Sequence, residues 1–346
     1  MDVAKEVIKH RAYGQKMTAI LGGKATHPVC ALPGGISKAL NEEGRQEIED
    51  MATSSVKFAQ LSLKIFHDLV LGNSAYLDMI KSDAYTMPTY YMGTVDGNNK
   101  INFYDGPVRV VDPTGKEFVK FEAKDYLTHI GEHVEPWTYS KFPYLKKIGW
   151  KGFSYGADNG VYRVGPLGRV NAADGMTTPL AQAEYEVMFK TLGRPVHGTL
   201  AFHWARLIEL LYSAERAVEL AKDPEITSTN IRNKPGEPGA GVGIVEAARG
   251  TLIHDYTLDK DALIKDVNMI VATTNNYPAI CMSIRDAAKG LIHGGKVDQG
   301  ILNKVEMAFR AYDPCFGCAT HFAVGQMPME VNVYDSNKKL VKTLQR

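Results

Sequence analysis

The segment Asp313-Pro314-Cys315-Phe316-Gly317-Cys318-Ala319-Thr320-His321 constrains this chain most. It follows an apolar stripe of Ile301, Val305, Ala308, Phe309 and Tyr312, which predicts a helix over 298–312. Pro314 has no N–H to give and pushes Asp313 out of the helical region, so the helix stops and the chain turns sharply. Cysteines three apart then converge on one centre, and Gly317 eases the turn between them. Thiolate donors select zinc, copper(I), iron or nickel over magnesium or calcium. His321 lies three residues further on, in reach as a nearby or second ligand. On spacing alone three other readings stay open. A structural zinc site needs two more ligands, and no second CxxC or HxxxH is present. A thioredoxin-type pair opens a helix after a strand, whereas this pair follows a helix. Two inert buried cysteines are the third. Cys30, in a loop, and Cys281, in a predicted helix, read as small buried hydrophobes.

The rest of the chain is an ordinary globular sequence. Its 346 residues leave room for a large core, and 45% hydrophobic with 23% charged residues exclude a disordered or fibrous chain. A net charge of +1 sets up no field for nucleic acid or anionic membrane. No apolar run approaches the roughly 20 residues of a membrane span. The start, Met1-Asp2-Val3-Ala4-Lys5, is not a signal peptide, and four cysteines are too few for a disulfide scaffold.

Helical periods run over 2–20, 41–71, 178–192, 197–222, 277–292 and 298–312. The first opens without a lead-in, which suggests that something upstream is missing. The 41–71 helix is expected to bury Ile48, Met51, Phe58, Leu61, Ile65 and Leu69. Short strands at 90–92, 101–103, 108–110 and 118–119, with turns at Asp96-Gly97 and Thr114-Gly115, predict a small antiparallel sheet. Residues 134–178, rich in Gly, Pro and aromatics, read as extended chain crossing the surface, anchored by Trp137, Phe142, Tyr144 and Trp150. Strands are expected at 243–246, 251–257 and 264–272. The fold class is therefore mainly α (α+β): one domain with a helical-bundle core and small antiparallel β insertions.

The CxxC does not stand alone. With Asp313-Pro314 before it and Ala319-Thr320-His321 after it, it resembles the C-terminal metal motif of the [NiFe]-hydrogenase large subunit. His27-Pro28 with Pro33-Gly34-Gly35 is similar to that family's HPxxxxPGG loop. Tyr139 to Leu145, Val164 to Asn171, His203-Trp204-Ala205-Arg206, Val245 to Leu252 and Val271 to Asn276 resemble its cytoplasmic branch. The stretch from Ile148 to Met176 looks most like the viologen-reducing hydrogenases that do not use deazaflavin and are commonly associated with heterodisulfide reductase. The soluble NAD-reducing hydrogenases come next. The family's N-terminal RxCGxC motif, which supplies two further cysteines, is not found here. The resemblance therefore implies about the last three quarters of a large-subunit fold: a fragment, a chain whose missing part a separate polypeptide supplies, or one that no longer makes a competent centre.

The resemblance implies a role for particular residues. Cys315 would be a terminal nickel thiolate that can also take the proton, and Cys318 would bridge nickel and iron. The iron would carry cyanide and carbonyl ligands. Arg249 would set its guanidinium beside the open metal position; the apolar residues Ile244, Val245 and Leu252 around it argue against an ordinary surface salt bridge. Thr273, or the backbone N–H of Ala272 beside it, would hydrogen-bond a cyanide, with plain turn formation as the even alternative. His321 and the Met269 carbonyl would hold a magnesium. Residues 1–321 would form the domain, and a maturation endopeptidase would remove the tail 322–346. A partner subunit would carry the iron–sulfur clusters, since each takes about four cysteines. A heterodisulfide reductase or an NAD-reducing module would lie beyond it. Set against this enzyme are an inactive hydrogenase-like scaffold and a helical protein with an incidental metal site. Gly239 to Gly243 is discounted as a dinucleotide loop, lacking the third glycine and a preceding strand.

Overall fold

The computed structural model describes residues 3–138, 140–320 and 330–345. The long apolar periods become helices. α1 (Val3–Gly22) is followed by a minimal ladder of β1 (Ala31–Leu32) and β2 (Gly35–Ile36). α2 (Glu42–Phe66) starts at Asn41, whose side chain accepts from the Gly44 N–H at 3.0 Å, and it widens into a π turn over His67–Leu71. α3 (Ser74–Lys81) precedes β3 (Tyr90–Thr94), β4 (Val108–Val111) and β5 (Glu117–Phe121). A single turn, α4 (Tyr126–His129), leads into the hairpin of β6 (Ile130–Val134) and β7 (Lys141–Leu145). β8 (Tyr162–Arg163) runs into α5 (Gly165–Ala172), α6 (Pro179–Leu192) and α7 (Phe202–Ala221). The antiparallel meander β9 (Ala240–Ala247), β10 (Gly250–Leu258) and β11 (Ile264–Ile270) comes next. α8 (Tyr277–Leu291), α9 (Gln299–Arg310) and the short α10 (Phe316–Thr320) follow, then a hairpin of β12 (Glu330–Tyr334) and β13 (Leu340–Gln345).

The main core gathers apolar side chains of α2, α5, α6, α7, α8 and α9, among them Trp204, Phe202, Ile208 and Tyr312. A second core lies under the sheets, around Met92, Val110, Tyr162, Ile253 and Ile270. The helix-rich class with small sheets is as expected. Four details differ.

The buried face of α2 runs through Ile48, Met51, Ala52, Ala59 and Leu63, while Phe58, Leu61 and Ile65 are half-buried and Leu69 is 63% exposed. α2 packs along α7, where the small Ala52 and Ala59 permit close approach, and the π turn rotates Leu69 away from the core. The expected strand at 101–103 is a lone bridge, Val95 to Ile101, because the Asn102 side chain accepts from the Tyr104 and Asp105 amides and bends the chain. The sheet also gains a parallel edge, in the order β5-β4-β3-β8.

The largest difference concerns 134–178. Trp137 does sit at the surface, but every residue from Asn159 to Ala173 is buried. A helix enclosed on all sides, such as α5, has no polar face and so shows no amphipathic period. Its close packing needs glycine. Gly165 has φ +80°, and a Cβ there would lie 2.8 Å from the Arg249 carbonyl oxygen. α5 is thus a central strut pressed against the hairpin that carries Arg249.

Candidate metal centre

α9 ends as its sequence requires. Ala311 and Tyr312 are buried, and Asp313 turns the chain with φ +52°, its amide donating to the Arg310 carbonyl at 2.9 Å. Pro314 and Cys315 follow directly, and α10 begins at Phe316, so the cysteine pair both follows a helix and opens a short one. The Cys315 and Cys318 sulfurs are joined as a disulfide, their Cα atoms 5.3 Å apart, and the Cys318 amide donates to the Cys315 sulfur at 3.4 Å. Reduction of the bond is required before either sulfur can act as a thiolate ligand. Cys315 is half-buried; Cys318, Asp313 and Phe316 are exposed. The pair therefore lies at the rim of the core.

The junction between β11 and α8 grips this turn. The Thr273 hydroxyl accepts from the Cys315 amide at 3.3 Å, and the Thr274 hydroxyl donates to the Ala319 carbonyl at 3.3 Å. Phe316 stacks on Tyr277 with ring centroids 6.1 Å apart. Thr273 also forms the turn itself, its carbonyl accepting from the Asn276 amide at 3.0 Å. Thr273 thus forms the turn that was the plain alternative for it, and its hydroxyl also meets the cysteine segment. Ala272 is buried in the same turn.

Arg249 reaches the segment at Asp313. With Ala248 it forms the two-residue turn between β9 and β10, closed by the Ala247–Gly250 pair. Its Nε donates to the Asp313 carbonyl at 2.6 Å, and its Nη2 lies 3.3 Å from the Asp313 carboxylate. This is a salt bridge of the kind that its apolar neighbours were expected to exclude. The expectation fails because Ile244 is only half-buried and Val245 is 38% exposed, so neither covers the guanidinium. The partner matters more than the exposure: Asp313 stands two residues before Cys315.

Behind the turn lies an arrangement that no sequence motif announced. Arg169, on α5, donates through Nε and Nη2 to both oxygens of Glu209 at 2.6 and 2.7 Å, and through Nη1 to Glu246 at 2.7 Å. Its remaining reach goes to the carbonyls of Ala247 at 2.8 Å and Ala248 at 3.3 Å. Glu246 also accepts from the Thr94 amide and the Thr251 hydroxyl. Burial pushes the Glu209 carboxyl up, against the pull of Arg169. Burial likewise opposes the charge on Arg169, but the two carboxylates outweigh it and raise its pKa. Burial lowers the pKa of the neighbouring Arg206, which donates to the Ala311 carbonyl at 3.1 Å and has one buried guanidinium nitrogen without a hydrogen-bond partner among the described residues. The available signal was a charge set in apolar runs: Leu-Gly-Arg169-Val, Ile208-Glu209-Leu and Ile-Val-Glu246-Ala.

The remaining candidates lie apart or outside. Met269 pairs with His254 across β10 and β11, and its thioether accepts from the Tyr256 hydroxyl at 3.5 Å. His321 lies outside the described residues, as do residues 322–329 of the tail. Cys30 and Cys281 are free and half-buried, and burial raises the Cys281 thiol, in keeping with a packing role. Among the described residues no three His, Cys, Asp or Glu side chains converge as a metal cluster. The donor chemistry nevertheless fits one side of a soft-metal group: two adjacent sulfurs, with a cation bonded to Asp313 two residues before Cys315 and a hydroxyl bonded to the Cys315 amide.

Comparison with known proteins places this geometry. Residues 6–321 match the nickel-dependent hydrogenase family. The chain is 48% identical over 99% of its length to an iron-sulfur subunit of the F420-non-reducing hydrogenase of Archaeoglobus profundus, covering 71% of that protein. It is 36% identical over 98% of its length to the beta subunit of the NAD-reducing hydrogenase HoxS of Cupriavidus necator, covering 70% of that protein. A crystal structure of an NAD+-reducing [NiFe]-hydrogenase in the H2-reduced state superposes with a TM-score of 0.85 at 33% identity, over 92% of this chain and 69% of that one. By fold and sequence, the chain belongs to the nickel-dependent hydrogenase family, as a [NiFe]-hydrogenase large-subunit chain.

Proposed function

We propose that Cys315 and Cys318, as thiolates, would hold one side of a nickel–iron group, Cys315 as a nickel ligand and Cys318 as a ligand shared with iron. Two further thiolates come from a segment outside this sequence. When bound, that group supplies the Lewis acid and redox centre that polarise dihydrogen for heterolytic cleavage. The chain's own residues do the rest. The Cys315 sulfur takes the proton. Arg249, held to Asp313, keeps a fixed positive charge beside the sulfurs and favours their thiolate forms. The Thr273 hydroxyl and the Ala272 N–H serve as donors toward a cyanide on iron. The Met269 carbonyl and His321 hold a magnesium. The observation that supports this reading is that Arg249 and Thr273 each hydrogen-bond the Asp313–Cys315 segment, Arg249 at Asp313 and Thr273 at Cys315.

In this reading residues 1–321 carry the centre and a maturation endopeptidase removes 322–346. An iron–sulfur partner subunit takes the electrons. A 48% match to an F420-non-reducing relative, against 36% for an NAD-reducing one, favours a heterodisulfide-reductase-linked acceptor over an NAD-reducing module. A cytoplasmic location goes with these relatives; among the described residues no helix is long and apolar enough to cross a membrane. The test is to co-express the chain with a RxCGxC-bearing segment and the partner subunit, then assay nickel, iron and dihydrogen-driven viologen reduction. Nickel and iron with activity, both lost in Cys315→Ser, support the reading. Zinc alone, without activity, rejects it.

A further inference from the structure

The Arg249 turn is a two-residue hairpin loop, half exposed at its tip, and a single ion pair to an exposed aspartate is a weak tether. Yet the turn does not hang free. Its two carbonyls on the near side, those of Ala247 and Ala248, are both taken by Arg169. Arg169 is 2% exposed, and the side chains of Glu209 and Glu246 that hold it are buried as well. The same guanidinium ties α5, α7 and β9 together, so the turn is referenced to three core elements through one planar group. Backbone packing fixes it from below: Gly250 has φ +144°, and a Cβ there would lie 2.2 Å from Val164 Cγ2.

We propose that Arg169 is a positioning residue for Arg249: its fork on the Ala247 and Ala248 carbonyls sets the Arg249 guanidinium at the cysteine segment, and Glu209 and Glu246 exist to hold that fork. The inference rests on the reading of Arg249 given above. The fork geometry is what matters. A lysine would keep the positive charge between the two carboxylates, but one ammonium cannot span two carboxylates and two carbonyls in a plane.

Arg169→Lys is the test, with Arg109→Lys as the control. Arg109 is also buried and ion-paired, to Glu117 and Asp174, but it lies on β4 and touches neither the turn nor the cysteines. The first readout is the Arg249 Nε–H resonance and its relaxation in the 15N-labelled chain, which needs no metal. Arg169→Lys is expected to shift and broaden that resonance while Arg109→Lys leaves it unchanged. In the loaded enzyme, kcat is expected to fall by about a hundredfold with KM for dihydrogen within about twofold, the signature of misplacement and not of lost binding. An unchanged Arg249 resonance in folded Arg169→Lys overturns the proposal. A loosened Arg249 with full turnover leaves the positioning intact and overturns the role given to Arg249. If Arg169→Lys does not fold, Asp313→Ala, a surface change, decides. The Ala247 and Gly250 amides, in the pair that closes the hairpin, are expected to exchange at the wild-type rate if Arg169 holds the turn, and at least about tenfold faster if the Asp313 carboxylate does.

Discussion

Two arginines meet the same hairpin turn, and they contrast in almost every respect. The Arg169 side chain is 1% exposed, shares two carboxylates and makes five hydrogen bonds. The Arg249 side chain is 39% exposed and, among the described residues, bonds Asp313 alone, itself half exposed. Breaking a buried pair strands a charge out of water, whereas an exposed pair exchanges readily with solvent. Loss of a partner is therefore expected to cost the fold far more in the buried network than in the rim pair. The cysteine turn belongs to the rim: its sulfurs sit where a second thiolate-bearing segment can approach, on a backbone fixed by the core.

The predictions follow that division. The largest effect is expected at the rim and in activity alone. Cys315→Ser and Cys318→Ser should each abolish dihydrogen-driven viologen reduction and strip nickel from the assembled enzyme. The change in unfolding free energy should stay within about 0.5 kcal/mol, as for other weakly packed positions. Loss of stability by several times that figure would place these cysteines in the core.

The next effect is expected in the core. Arg169→Met leaves Glu209 and Glu246 facing each other unpaired, and should cost about 3–5 kcal/mol in urea unfolding. Arg249→Met should cost no more than about 1 kcal/mol by the same measurement. Equal costs would erase the contrast between the two arginines.

A smaller effect concerns pH. His197 is packed against Tyr91, whose hydroxyl lies 2.6 Å from Nδ1, and burial and the nearby Arg163 bring its pKa down to about 4 from 6.5. Its folded form thus resists a proton that the unfolded chain accepts. The stability it contributes is present above pH 6.5 and is lost as the pH falls through about 4. Glu209 runs the other way: with its folded pKa raised, its contribution is present below pH 4.5 and fades as the pH rises through that higher value. Unfolding curves between pH 7 and 4 should therefore lose stability toward acid, and His197→Gln should flatten the slope. An unchanged slope in His197→Gln would assign the acid sensitivity to other groups.

How far these features were legible in the sequence depends on their surroundings. Long amphipathic helices declared themselves, because one face meets water and the other does not. The cysteine turn was legible because proline stops a helix wherever it falls in its interior. α5 was not, since a helix buried on every side carries no contrast between faces. The Arg169 network was invisible for a related reason. A charge inside an apolar run signals a buried pair, but Glu209 and Glu246 lie 40 and 77 residues away, and only the packing of α5 on α7 and β9 brings them together. The role of Arg249 came from the resemblance. Its partner, Asp313, stood in the same motif as the cysteines, yet the chain is 64 residues long between them.

The central claim is that Cys315 and Cys318 face a nickel–iron group with Arg249 tied beside them. Nickel X-ray absorption on the assembled, dihydrogen-reduced enzyme, wild type against Cys315→Ser, tests it most directly. The account predicts nickel bound mainly by sulfur, with one sulfur neighbour lost on substitution in whatever nickel remains. An unchanged sulfur shell in Cys315→Ser, at full nickel content, would contradict it.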